Sequence, residues 1–119
     1  MNIIESPVIS FEYMTHFFSG KESSFFYIDG DKIGDKESFL KEFAVKMKFP
    51  DYFGYNWDAF DECITDLEWL NQNGFIIFYK NFNKFKINQP EDWKIATDVL
   101  LEAVEYWKQQ NIPMLIIFL

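Results

Sequence analysis

The chain has 119 residues, 49% of them hydrophobic and 21% aromatic, which predicts one domain with a single core. Its 11 basic and 19 acidic side chains give a net charge of −8, so the surface repels phosphate backbones and disfavours direct nucleic-acid binding. Cys63 is the one cysteine, which excludes an internal disulfide and a zinc site built from thiolates.

Residues 1–23 are interpreted as an N-terminal extension that precedes the domain of residues 24–119. The start lacks a basic region and a long apolar run, and no stretch is long enough to span a bilayer, so we expect a cytoplasmic protein with no membrane partner. The extension could cover a sheet edge or form a dimer contact, although a monomer is favoured. Its apolar residues have helical spacing: Phe11, Met14, Phe17 and Phe18.

The first elements of the domain are a strand and a helix. Residues 25–28 form a short aromatic and β-branched run that Asp29 and Gly30 stop, which predicts a strand and a turn. Asp35 then precedes a helix that Pro50 ends. The apolar stripe of this helix recurs at intervals of three and four residues: Phe39, Leu40, Phe43, Ala44 and Met47.

A second helix is predicted from Trp57 to about Leu70, with Asn56 as its N-cap. The loop before it, residues 51–56, is unusually aromatic. Gly54 is expected to supply a loop conformation that other residues cannot reach.

The remaining elements are a strand, a helix and a strand. Residues 75–79 and 114–118 are continuous apolar runs, which are typical of strands buried on both faces in parallel sheets. Between them a helix is predicted from Pro90 to about Gln110. The order β-α-α-β-α-β predicts an α/β fold, a three-stranded parallel sheet packed by helices.

The second helix is strongly amphipathic. On a helical wheel one sector is apolar: Trp57, Phe60, Cys63, Ile64 and Leu67. The opposite sector is polar: Asp58, Asp61, Glu62, Thr65, Asp66 and Glu68. Trp69 is the exception, because the wheel places it on the polar side between Glu62 and Asp58. Trp57, Phe60 and Trp107 are interpreted as core, Trp93 as core or binding, and Cys63 as a small buried hydrophobe.

A solvated surface is the ordinary interpretation of such an acidic face, and three observations favour an interface instead. No lysine or arginine lies between Lys48 and Lys80, so the carboxylates lack local ion-pair partners. A large aromatic, Trp69, is predicted among them, and the preceding loop adds exposed rings. A positively charged partner is therefore expected.

The residues that carry the acidic face also resemble a known family. Residues 49–60, FPDYFGYNWDAF, followed by Cys63, Ile64 and Thr65, resemble the signature of the barstar family, intracellular inhibitors of the bacterial ribonuclease barnase. Residues 26–30 resemble the family's first strand and turn, and residues 112–119 resemble its final strand. The resemblance covers residues 24–119.

The resemblance implies a fold of three parallel strands packed by helices, and a second helix that plugs the active site of a basic ribonuclease. Its carboxylates would take the places of substrate phosphates. Carried over by position, the partner-binding residues are Tyr52, Asn56, Asp58, Glu62, Thr65 and Asp66, and the helical wheel adds Trp69.

The chain departs from the family pattern at several positions. Glu62 stands for the family's most important aspartate, Asp61 for a tryptophan and Asp66 for a glycine. A family glutamate in the last helix aligns with Tyr106, beside Glu105. Ile112 takes the place of a second cysteine.

Three functions follow as hypotheses. The first is an inhibitor or immunity protein for a basic ribonuclease or nuclease toxin, with no enzymatic activity and no cofactor. The second is a regulatory interaction domain with a non-nuclease partner, since fold alone does not define function. The third, a hydrolase or metal enzyme built on Asp58, Asp61 and Glu62, is disfavoured because hard cations want oxygens from separate elements.

Overall fold

The structure, a computed structural model, describes residues 24–119. Its centre is a three-stranded parallel sheet of β1 (Ser24–Asp29), β2 (Phe75–Lys80) and β3 (Met114–Phe118). The strand order is β1-β2-β3, so β2 lies in the middle. The predicted extension, residues 1–23, lies outside the described residues.

Four helices connect the strands: α1 (Lys36–Lys46), α2 (Trp57–Ile64), α3 (Asn83–Asn88) and α4 (Pro90–Gln109). The predicted fold class and element order are confirmed. Two 3-10 turns, Gly30–Lys32 and Glu68–Leu70, complete the secondary structure of the described chain.

Helix α3 was not predicted from the sequence. It has six residues, and Phe85 is its buried one, so it carries no apolar stripe that a periodicity search could find. The predicted end of the second helix at about Leu70 is also wrong, because α2 ends at Ile64.

The main core lies between one face of the sheet and the helices. Phe39 of α1 is fully buried at its centre, and the other residues of the predicted α1 stripe are buried around it. Trp93 and Trp107 are buried core residues as well, and Trp57 packs against the core while partly exposed. Aromatic rings therefore make up much of the layer that holds α2 in place. Five of them contact Phe39: Phe43, Trp57, Phe60, Tyr79 and Phe85.

Helix α1 begins at a capping box. The Asp35 carboxylate accepts from the Ser38 backbone N–H at 2.9 Å, and the Ser38 hydroxyl oxygen accepts from the Asp35 N–H at 3.1 Å. The hydrogen bonds from the Ser38 backbone N–H and then from its hydroxyl lower the pKa of the Asp35 carboxyl. The cap therefore depends on the ionised carboxylate.

Asp35→Ala is expected to lower the free energy of unfolding by about 1 kcal/mol at neutral pH, because α1 loses its N-cap. A carboxyl whose folded pKa is depressed contributes stability above its unfolded pKa, and this contribution is lost as the pH falls through the folded value. The difference in the free energy of unfolding between the variant and the parent should therefore become smaller below about pH 4. Urea unfolding at neutral and acidic pH measures this difference in stability. A difference that does not change with pH would contradict the role of the ionised Asp35 carboxylate as the cap.

Candidate functional site

The N-terminus of α2 is capped as the sequence predicted. The Asn56 side-chain oxygen accepts from the Ala59 backbone N–H at 2.8 Å. Asp58 follows in the first turn, where a negative charge interacts favourably with the helix dipole. Both side chains are exposed, so the cap leaves the amide N–H groups of Asn56 and the carboxylate of Asp58 open to a partner.

The loop before α2 has one buried aromatic side chain and two exposed ones. Phe53 is 5% exposed, and its ring lies 5.0 Å from that of Phe49 and 4.6 Å from that of Tyr55. Tyr52 is 71% exposed and Tyr55 54% exposed, so both rings flank α2 in solvent. The sequence did not single out Tyr55 as a contact, because spacing alone does not separate the buried ring from the exposed ones.

The strained backbone position of this loop is Tyr55, and the expectation for Gly54 is wrong. Tyr55 has φ 55°, in the left-handed region that ordinary residues rarely adopt. The φ angle of Gly54 is outside the left-handed region, and a Cβ added there would meet no atom closer than 3.5 Å, so its place in the loop does not require glycine.

Helix α2 ends at Ile64, where the backbone leaves the α-helical hydrogen-bonding pattern. The Thr65 hydroxyl donates to the Asp61 carbonyl at 2.7 Å, and Leu67 adopts φ 47°. A left-handed residue cannot continue an α-helix, so the chain turns at Leu67 and enters the 3-10 turn. The carboxylates of Glu62 and Asp66 are thereby left at the C-terminal end of α2.

The helical-wheel position predicted for Trp69 is wrong, because Trp69 lies in the 3-10 turn beyond α2. Its indole N–H donates to the Met47 carbonyl at 3.0 Å, and its half-buried ring packs on Phe49 with centroids 6.0 Å apart. The side chain therefore ties the turn after α2 to the end of α1. Its predicted partner contact stays a prediction.

A second indole, that of Trp107 in α4, holds the C-terminal end of α2. The buried Trp107 N–H of α4 donates to the Ile64 carbonyl, the last residue of α2, at 2.9 Å. This carbonyl has no partner within the helix, so the bond satisfies it and holds α2 against α4. Both ends of α2 are thus set by side-chain hydrogen bonds.

Trp69→Phe is expected to lower the free energy of unfolding by about 1 kcal/mol more than Trp57→Phe does. Both variants shrink an indole to a phenyl ring, but the Trp57 N–H has no hydrogen-bond acceptor to lose within the described part of the chain. Urea unfolding of the two variants makes the comparison. Equal losses would show that the bond to Met47 contributes nothing.

The carboxylates along α2 are exposed and unpaired within the described residues. Asp58, Glu62 and Asp66 are all exposed. Across residues 24–119 the salt bridges lie elsewhere: Lys46 with Glu42, Lys80 with Asp31, and Lys94 with Asp98. We call Tyr52, Asp58, Glu62 and Asp66 the acidic surface.

The negative charges of these carboxylates contribute to raised pKa values in two neighbouring side chains. Desolvation and then the Asp66 carboxylate raise the pKa of the Tyr52 hydroxyl, with smaller contributions from Cys63, Glu68 and Glu62. Desolvation, then Asp66 and Glu62, also raise the pKa of the buried Cys63 thiol. Cys63 is buried, as predicted.

Asp58 and Glu62 lie one helical turn apart on α2, and Asp66 follows two residues after the helix ends. Thr65 is half-buried, and its hydroxyl donates to the Asp61 carbonyl. On α4, both Glu105 and Tyr106 are exposed. Among residues 24–119, no three His, Cys, Asp or Glu side chains group as a metal site.

The fold and the acidic surface define a small α/β domain that presents a firmly anchored acidic helix. A family model described as Barstar (barnase inhibitor) matches residues 23–118. The chain belongs to this family. No curated protein sequence matches it significantly. In the described residues no helix is long and apolar enough to cross a membrane.

Proposed function

We propose that this chain is an inhibitor or immunity protein that binds and occludes the active site of a basic ribonuclease or nuclease toxin. The observation that carries the proposal is the acidic surface, whose exposed carboxylates have no cationic partner among the described residues. Family membership supports the same partner class. We also propose a cytoplasmic location, which suits an unpaired thiol.

The mechanism is charge mimicry by a preorganised helix. Asp58, Glu62 and Asp66 take the positions of RNA phosphates and pair with the cations that hold RNA in the nuclease. Opposed charges accelerate encounter, and close desolvated pairs slow release. Because the indoles of Trp69 and Trp107 anchor the chain around α2, little backbone ordering is required on binding.

The uncharged residues of the site supply shape and hydrogen bonds. The exposed ring of Tyr52 offers an aromatic contact beside the carboxylates. Asn56 uses its side-chain oxygen as the cap, so its N–H groups serve the partner. The Thr65 hydroxyl donates within α2 and therefore acts toward the partner as an acceptor.

Titration of RNA cleavage tests the proposal. The chain is added to basic secreted ribonucleases, barnase included, and cleavage of a fluorogenic RNA is followed. One of these enzymes is expected to lose activity at a molar ratio of about one, as occlusion of its active site requires. The control is the double variant Asp58→Asn, Glu62→Gln, which keeps the shape of α2 and removes two charges. A folded chain that inhibits none of these enzymes contradicts the proposal.

A regulatory domain with a non-nuclease partner is the second candidate. The observation that favours it is the altered charge of α2, where Asp61 and Asp66 stand for a tryptophan and a glycine of the family pattern. Capture experiments with the chain and with the double variant discriminate between the two. A non-nuclease protein that binds the parent alone favours regulation, and a nuclease that does so favours inhibition.

A further inference from the structure

The edge strand β3 points half of its backbone groups away from the sheet. In a parallel sheet, the N–H and C=O groups of alternate residues point toward the same neighbouring strand. The Phe75 N–H of β2 donates to the Pro113 carbonyl at 3.0 Å. The Leu119 N–H donates to the Tyr79 carbonyl of β2 at 2.9 Å. The odd-numbered residues near β3 therefore bond to β2, and the even-numbered residues of the strand point outward: Met114, Ile116 and Phe118.

The opposite edge of the sheet, at β1, is occupied by side chains of α1. The outward carbonyl of Tyr27 accepts from the Lys46 ammonium at 2.9 Å, and the outward N–H of Asp29 donates to the Glu42 carboxylate at 2.9 Å. Lys46 and Glu42 also form a salt bridge with each other. Charged side chains that take up the backbone groups of an edge strand hinder pairing with another strand. The edge at β1 is therefore closed.

The edge at β3 lacks this protection within residues 24–119. The outward N–H and C=O groups of Met114, Ile116 and Phe118 form no hydrogen bond with any described residue. The strand has the sequence MLIIF, so it carries no charge, proline or glycine that would discourage pairing. A row of outward donors and acceptors is satisfied by a second extended strand. The edge at β3 is therefore suited to receive one.

We propose that this strand is β3 of a second copy of the chain, paired antiparallel about a two-fold axis at Ile116. In this register Ile116 lies opposite its equivalent, and Met114 lies opposite Phe118. Every outward N–H and C=O group of β3 then belongs to a hydrogen-bonded pair between the copies. The sheet continues from one copy into the other, whereas the sequence alone favours a monomer.

The side chains of β3 match those of a second β3. On the face that carries the smaller apolar cluster, Leu115 lies opposite Ile117, and on the main-core face Met114 lies opposite Phe118. Apolar and aromatic pairs of this kind stabilise neighbouring strands. A two-fold interface uses the same surface on both copies, so one self-complementary strand is sufficient. Because the edge at β1 is closed, the association ends at a dimer.

The charge of the chain sets the salt dependence of this dimer. Two copies with a net charge of −8 repel each other, so screening by salt should strengthen the dimer. The proposed nuclease complex should respond in the opposite direction. No residue of β3 belongs to the acidic surface, so the inference is independent of the proposed function.

Sedimentation velocity of the full chain tests the stoichiometry. A dimer is expected to form as the protein concentration rises, and its Kd should decrease several-fold when the salt concentration is raised. A chain that stays monomeric at every concentration and salt concentration overturns the inference. Species larger than a dimer also overturn it, because they require a second open edge.

Amide hydrogen exchange followed by NMR tests the location of the contact. The outward N–H of Ile116 is expected to exchange several-fold more slowly when the dimer predominates than when the monomer does. The N–H groups of Leu115 and Ile117 are bonded to β2 in both states, so they serve as internal controls. Dimerisation without slower exchange at Ile116 would mean that the copies meet elsewhere, and it overturns the inference.

Substitutions on the two edge strands provide a third test. Ile117→Lys places an ammonium on the open edge and removes apolar pairs of the dimer, so the Kd should rise by roughly fivefold or more. The control Tyr27→Lys adds the same charge at a 65% exposed position of the closed edge and should leave the Kd nearly unchanged. If circular dichroism shows that Ile117→Lys is unfolded, Ile117→Thr is compared with Tyr27→Thr. Equal Kd values in the matched variants overturn the inference.

Discussion

Glu62→Ala is expected to weaken the proposed complex with a basic ribonuclease by about 2–5 kcal/mol, roughly 30-fold or more in Kd. The Glu62 carboxylate is exposed in the last turn of α2, and no cation among the described residues forms a salt bridge with it. Its loss leaves a cation of the nuclease buried without a partner, which is costlier than the loss of a solvated pair. Surface plasmon resonance at two salt concentrations measures the loss, and raising the salt should weaken the parent complex.

The matched control for this prediction is Glu102→Ala. Glu102 is exposed on α4, so both variants change the net charge by the same amount. A similar loss in both variants would show that net charge alone drives binding and that the acidic surface is wrongly chosen. Glu62→Asp adds a further comparison, because it restores the residue of the family pattern and withdraws the carboxylate by one methylene.

Phe39→Ala is expected to lower the free energy of unfolding by about 3–5 kcal/mol. The ring is 0% exposed, and its centroid lies 4.6 Å from that of Phe43, 5.3 Å from Phe60 and 5.5 Å from Trp57. Alanine leaves a cavity that these rigid neighbours cannot close. Since domains of this size are stable by about 5–15 kcal/mol, the loss should be plain in urea unfolding followed by circular dichroism.

Two substitutions on α1 control for this experiment. Phe39→Leu keeps most of the buried volume and should cost less than half as much. Val45 is 60% exposed on the same helix, so Val45→Ala should change stability by at most about 0.5 kcal/mol. A loss in Phe39→Ala no larger than that in Val45→Ala would contradict the central place of this ring.

The candidate site was predictable where it depends on local chemistry. Asn56 caps α2 because its short side chain reaches the free N–H of Ala59 in the first turn, a property of four consecutive positions. The absence of a lysine near Glu62 is likewise visible in the sequence. Trp69 was misplaced because a helical wheel assumes that the helix continues. The left-handed Leu67 and the Met47 carbonyl that attracts the indole are set by packing across the fold.

The amino-acid sequence by itself determined the α/β class, the order of the predicted elements and the acidic character of α2, because hydrophobic period and charge are local properties. Tertiary structure alone decided that the strained loop residue is Tyr55 and that α2 stops at Ile64. It also decided that Ile76 and Leu115 are buried in a cluster separate from the main core. These features depend on contacts between residues far apart in the chain, and no local pattern encodes which distant group will be within reach.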